Sequence, residues 1–186
     1  MATLYTRKGD DGTTGLLFGG RVRKDAAQPR ACGAVDEAQA TIGMARALCS
    51  PDSEVGRDLE SQLVHVMRDL WVLMGELAAL PEHHDKLVDD ETRVTRGMVA
   101  GLETITDDVG ARFEVPNQFV VPGQTRLAAQ LDVARTVVRR SEREVMDVIV
   151  PGSHVLSYLN RLSSLLWAQA RWVEGDHLLT RDVDAS

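Results

Sequence analysis

The chain has 186 residues, with 21 Lys and Arg against 28 Asp and Glu and a formal net charge of −7. A single domain of this length buries roughly 70% of the surface its unfolded chain exposes, so a core forms without covalent staples. The acidic balance argues against nucleic acid as a partner. No uncharged apolar run approaches the ~18 residues of a membrane span, and Lys8, Asp10 and Asp11 stand where a signal peptide would carry its apolar core. A cytoplasmic protein with no nucleic-acid or membrane partner is expected. Cys32 and Cys49 have no C-x-x-C spacing and read as reduced, packed residues.

Residues 1–25 stand apart from the rest. Five glycines fall between positions 9 and 20, interleaved with Asp10, Asp11, Thr13 and Thr14, and no helical period is present. This is a structured loop or arm. From Ala31 the sequence turns to helical apolar periodicity, in five segments. The first spans about 31–48, with Ala34, Ala38, Ile42, Ala45 and Leu48 on one face; small residues there permit close helix approach. The second begins after Ser50-Pro51 and ends at Pro81, with Leu59, Leu63, Val66, Leu70, Leu73, Leu77 and Leu80 in alternating steps of four and three. Such a seam suits nearly parallel helices. The third is expected from Asp89 or Asp90, as N-cap, to Asp107, with Val94, Met98, Leu102 and Ile105 as its stripe and Gly97 and Gly101 weakening it.

The fourth segment covers about 124–148 with Leu127, Leu131, Ala134, Val138 and Val145, and the fifth about 153–174 with Val155, Leu159, Leu162, Leu166 and Val173. Between the third and fourth lies Phe113 to Gly123. No strand alternation is sustained enough to build a sheet. The pattern predicts a single all-α domain: a glycine-rich arm over 1–25, a five-helix bundle over 31–174 and a C-terminal tail over 175–186.

Two segments carry candidate chemistry. In the arm, Thr6-Arg7-Lys8-Gly9-Asp10-Asp11-Gly12-Thr13-Thr14-Gly15 has the glycines that let successive N–H groups face an anion, with Lys8, Thr14 and Lys24 as further donors. It is neither a Walker A loop nor a G-x-G-x-x-G fingerprint. A solvated leader is the plainer alternative. In the fourth helix, Arg135, Arg139 and Glu142 fall within a sector of roughly 60°, beside Leu131, Ala134 and Val138, and Arg140 and Arg143 lie further round. An exposed Arg139–Glu142 ladder would add only a few tenths of a kcal/mol. Bidentate recognition of a polyphosphate better explains guanidiniums at the edge of a buried face.

Other polar residues are open to more than one reading. Asp36, among Ala34, Val35, Ala38 and Ala40, fits a first-turn acid favoured by the helix dipole. Asn160 abuts the apolar stripe of the fifth helix and could bond a ligand or a neighbouring helix. His83-His84 lacks the i, i+4 spacing of a helical metal pair and reads as a solvated connection.

In order, Thr6 to Asp25 (TRKGDDGTTGLLFGGRVRKD), Gly33 to Glu37 (GAVDE), Phe119 to Gly123 (FVVPG), Ala128 to Glu142 (AAQLDVARTVVRRSE) and Tyr158 to Arg171 (YLNRLSSLLWAQAR) resemble the PduO-type ATP:cob(I)alamin adenosyltransferases. The resemblance spans nearly the whole chain. It implies a homotrimer with active sites between subunits, in which Thr6, Arg7, Lys8, Gly9, Thr14 and Lys24 of one arm contact ATP. It implies the same for Arg139, Arg140, Glu142, Arg143 and Asn160 of the neighbouring subunit. Asp36 would pair across the interface with Arg135, and Phe119 would lie against the lower face of the corrin. Arg135, Arg139 and Phe119 would thus be the catalytic set. Mg2+ would arrive on the ATP phosphates without a protein-only site. A cob(II)alamin reductase and an adenosylcobalamin-dependent mutase are the implied partners. Three positions depart from the family pattern, Gln124 for a glycine, Asp132 for a histidine and Ser164 for an aspartate, all toward the corrin side. The reaction implied joins the 5'-deoxyadenosyl group of ATP to reduced cobalamin, giving adenosylcobalamin and triphosphate. A carrier or sensor that binds ATP or adenosylcobalamin without turnover is the alternative.

Overall fold

A computed structural model of the chain describes residues 4–181. The ends of the expected arm and tail, residues 1–3 and 182–186, lie outside the described residues. Among those described, five α-helices follow a short β-hairpin: β1 (Thr13–Gly15), β2 (Arg21–Arg23), α1 (Ala27–Ala47), α2 (Glu54–Leu77), α3 (Arg96–Gly110), α4 (Arg126–Glu144) and α5 (Val155–Glu174). Short 3₁₀ turns lie at Pro81–Lys86 and Val145–Asp147. The expected all-α bundle is therefore the observed fold, with the hairpin as an addition. No helix among the described residues is long and apolar enough to cross a membrane.

Helix boundaries follow local chemistry. The Ser53 hydroxyl accepts from Gly56 N–H at 2.9 Å to start α2, and Gly56 is required there because a Cβ would stand 2.1 Å from the Ser50 carbonyl oxygen. Thr125 caps α4 through Ala128 N–H at 3.1 Å. α1 starts at Ala27, earlier than the periodicity predicts, because Pro29 sits in the first turn, where its missing N–H goes unneeded. α3 starts later than expected, at Thr95, whose hydroxyl accepts from Met98 N–H at 3.3 Å. Asp90 is not the cap: it takes a left-handed conformation with φ 62° and its carboxylate accepts from the Thr95 hydroxyl at 2.6 Å. Val94 is buried, but in the loop before α3.

α1 packs between α2 and α4, and α5 between α4 and α3. The small buried face of α1, Ala31, Val35, Ala38, Ile42 and Ala45, lets α4 approach closely enough for the Ser141 hydroxyl to donate to the Ala34 carbonyl at 2.7 Å. Leu59, Leu63, Val66, Leu70 and Leu73 of α2 are fully buried, each contributing about 1.5 to 3 kcal/mol by leaving water. Leu48, expected on the α1 stripe, is instead exposed beyond the helix end. Buried polar ties join the layers. Tyr158 donates to Asp69 at 2.9 Å, and the Glu76 carboxylate accepts from Val94 N–H at 2.7 Å and from the Ser153 hydroxyl.

The arm docks on the C-terminal end of α2, where Leu17 N–H donates to the Ala78 carbonyl at 2.9 Å. Its hairpin pairs Thr13 with Arg23, Thr14 with Val22 and Gly15 with Arg21. Three-residue strands are too short to leave a period-two pattern in the sequence.

Candidate active site

In the arm, Asp11 organises the turn into β1 by accepting from the Thr13 N–H at 2.9 Å and hydroxyl at 2.7 Å. These bonds, the hydroxyl's first, hold the Asp11 carboxyl below its ordinary pKa. Gly12, at φ 80°, allows that turn, and Lys24 N–H closes it on the Gly12 carbonyl at 2.9 Å. Lys24 lies over Gly9, where an added Cβ would stand 3.1 Å from Nζ. Arg21 holds the Lys8 carbonyl and donates through Nε to the Thr13 hydroxyl at 3.0 Å. Thr6 accepts from Lys8 N–H at 3.4 Å, Arg7 is left-handed at φ 58°, and Thr14 is half-buried in β1. Lys8 and Lys24 form no ion pair among the described residues. Thr6, Lys8, Gly9 and Lys24 thus come together on one small scaffold.

A second group assembles on α4 and α5. Glu142 accepts from the Asn160 amide at 3.0 Å, one turn along from Arg139. Arg143 donates to the Arg139 carbonyl at 2.9 Å, and Arg140 pairs with Glu37 of α1. Arg139 is exposed and forms no ion pair among the described residues. It lines a cleft of about 640 Å3 with Arg135, Phe113, Trp167 and Ser164. A neighbouring cleft of about 730 Å3 shares Arg135 and Trp167 and is edged by Phe119, Val120, Asp132, Arg171 and Thr180. Phe119 is 88% exposed at its rim. Gln124 is exposed and borders neither cleft.

Arg135 already has an acidic partner within the chain. Its Nε lies 3.2 Å from Asp132 Oδ1, while Asp132 Oδ2 accepts from Arg171 at 2.7 Å. Arg171 is 2% exposed and also holds Glu174 at 2.6 Å. Burial works against its charge, but the Asp132 and Glu174 carboxylates outweigh that and hold its pKa above the ordinary value. Trp167 lies 5.8 Å from the same guanidinium. Asp36 is exposed on α1 and makes no ion pair with Arg135 in the single chain. Neither α4–α5 cleft is lined by an arm residue.

Sequence reasoning assigns no role to Trp167, Arg171, Glu174 or His177, and names Asp132 only as a departure on the corrin side. Arg171 and Glu174 are three apart at the end of the α5 apolar stripe, and a charged pair on a buried face was the available signal. His83 and His84 lie in the 3₁₀ turn, and no group of three His, Cys, Asp or Glu among the described residues could hold a metal ion.

The family profile for cobalamin adenosyltransferases matches residues 4–173. The chain belongs to the cobalamin adenosyltransferase family. Among its relatives, the corrinoid adenosyltransferase of Bacillus subtilis is 37% identical over 175 residues, covering 91% of this chain and 86% of that protein. That of Mycobacterium tuberculosis H37Rv is 38% identical over 184 residues, covering 95% and 91%. A variant PduO-type ATP:corrinoid adenosyltransferase from Lactobacillus reuteri, solved with cobalamin and ATP, superposes with a TM-score of 0.84 at 26% identity, over 97% of both chains.

Proposed function

We infer that this protein is an ATP:cob(I)alamin adenosyltransferase. The observation that carries the reading is a pair of adjoining clefts, one lined by Arg139, which forms no ion pair among the described residues and lies near Glu142 and Asn160, the other edged by Phe119, in a chain of this family. In the reaction, the electron pair of Co(I) attacks the 5' carbon of ATP. The cobalt–carbon bond forms, the bond from that carbon to the triphosphate oxygen breaks, and triphosphate leaves. No general base is needed. The protein aligns the two substrates and offsets charge on the leaving polyanion, tasks assigned here to Arg139, Arg143, Lys8 and Lys24. Phe119 presents an apolar surface to the lower face of the corrin and keeps an axial ligand away, which favours Co(I).

Active sites between the subunits of a homotrimer account for three features of the single chain. The arm cations lie apart from the Arg139 cleft, Asp36 makes no ion pair among the described residues, and Met44, Val64 and Trp71 are exposed on α1 and α2. The arm of one subunit, with Thr6, Arg7, Lys8, Gly9, Thr14 and Lys24, would meet Arg139, Arg140, Glu142, Arg143 and Asn160 of the next, and Asp36 would reach Arg135 alongside Asp132. The donor set is cationic, so Mg2+ fits only as a companion of the ATP phosphates, where it would supply further charge neutralisation. The whole chain acts as one domain of arm, bundle and tail, in the cytoplasm, where Cys32 and Cys49 remain free thiols. A cob(II)alamin reductase and an adenosylcobalamin-dependent mutase are its functional neighbours.

The test is an anaerobic absorbance assay with chemically reduced cobalamin, ATP and Mg2+. Conversion by the wild type and its loss in Arg139→Ala are expected. Tight binding of adenosylcobalamin without conversion would replace the transferase by a carrier.

A further inference from the structure

The segment that carries Phe119 is gripped by the C-terminal tail. Val121 N–H donates to the Leu178 carbonyl at 2.8 Å, and the Phe119 carbonyl receives both the Thr180 N–H and the Thr180 hydroxyl, each at 2.9 Å. Val120 and Leu179 thereby form an antiparallel bridge. The tail reaches this position because α5 ends at Gly175, whose φ of 72° turns the chain back toward the loop.

The turn is tied to the bundle through His177. Its Nδ1 lies 2.9 Å from Glu174 Oε1, and because a carboxylate only accepts, that nitrogen carries the proton. The ring also meets Phe113 edge-on, with centroids 6.3 Å apart. Glu174 is held in turn by Arg171, Arg171 by Asp132, and Asp132 by Arg135. A continuous run of charge-assisted bonds therefore connects α4 to the residues that hold the Phe119 backbone. Asp132 is the group that joins Arg135 and Arg171 in this run.

We propose that His177 and Thr180 are positioning residues for cobalamin: they fix the strap 175–181 against the bundle and thereby set the Phe119 loop at the rim of the cleft. Neither is catalytic, since each acts through Phe119. The catalytic consequence rests on the adenosyltransferase reading, whereas the mechanical part does not.

The test uses the full chain with His177→Ala, Thr180→Pro and the conservative His177→Gln, which keeps a donor toward Glu174. Amide hydrogen exchange should show Val121 exchanging faster in the first two variants, with α4 and α5 amides unchanged, and recovery in His177→Gln. In steady-state assays the KM for cob(I)alamin should rise about three- to tenfold in His177→Ala, as expected for one lost hydrogen bond, and at least as much in Thr180→Pro, which removes two, while the KM for ATP holds. Adding either substitution to Phe119→Ala should cause no further loss. Unchanged Val121 exchange in both variants, or losses that add to those of Phe119→Ala, would overturn the proposal. If the wild type transfers no adenosyl group, the functional reading fails, and the exchange measurement still decides whether the strap holds the loop.

Discussion

In the arm, Lys8 and Lys24 stand on a scaffold of turns and a three-residue hairpin, without an acidic partner among the described residues. At the two α4–α5 clefts, Arg171 is 2% exposed and clasped by Asp132 and Glu174, while Arg139 forms no ion pair among the described residues. Charge that water solvates can wait for a ligand at little cost, whereas charge inside the bundle must be matched within the chain. On the proposed function, the cations without an acidic partner serve substrate and the enclosed ones serve architecture, even though Arg139 and Arg171 line adjoining clefts.

Substitutions on the two sides of that division should differ in what they damage. The largest effect is expected from Arg139→Ala, which should slow turnover on the order of 100- to 1000-fold and leave the melting temperature unchanged. A matching loss of stability would move Arg139 to the architectural class. Asp132→Ala reverses the pattern. It strips Arg171 of one buried partner, so denaturant unfolding should reveal a loss of about 2 to 3 kcal/mol, below the full cost of an unpaired charge because Glu174 remains. Lys8→Ala should raise the KM for ATP about tenfold without changing stability, and an unaltered KM would take Lys8 out of the nucleotide site.

Cys32 supplies a half-buried titratable group. Burial pushes its thiol up to about 11 from 9.0. A pKa raised on folding means that the native state favours the protonated form, so the contribution of this group is complete below 9.0 and is lost as pH rises toward about 11. Near neutral pH no effect is expected. Denaturant titrations across the alkaline limb should fall for the wild type and fall less steeply for Cys32→Ala, since the Cys49 thiol and the Tyr158 hydroxyl, also raised by burial, still contribute; equal slopes would remove Cys32 as a cause.

The α2 seam was legible because Leu59, Leu63, Val66, Leu70 and Leu73 repeat at helical spacing, and all five are buried. The Arg139, Glu142 and Asn160 grouping was partly legible for the same reason, since α4 geometry places Arg139 and Glu142 on one face. The hairpin was not legible, because three residues per strand carry too little pattern. The start of α3 was misread because Asp90 and Thr95 are both good caps, and the choice between them was made by a left-handed turn and a bond from one to the other. Asp69 with Tyr158, and Glu76 with Val94 and Ser153, join residues distant in sequence and leave no local trace.

The sequence by itself determined the helices, the small-residue face of α1, the glycine-rich arm and the placing of arginines along one face of α4. Each of these follows from local spacing and backbone preference. Only the tertiary structure decided which charges are enclosed and with whom: Asp132 with Arg135 and Arg171, Glu174 with His177, and the tail with the Phe119 loop. Burial and pairing depend on which helix faces meet, and bonds such as Arg171 to Asp132, 39 residues apart, or Thr180 to Phe119, 61 apart, are set by packing, which no local pattern records.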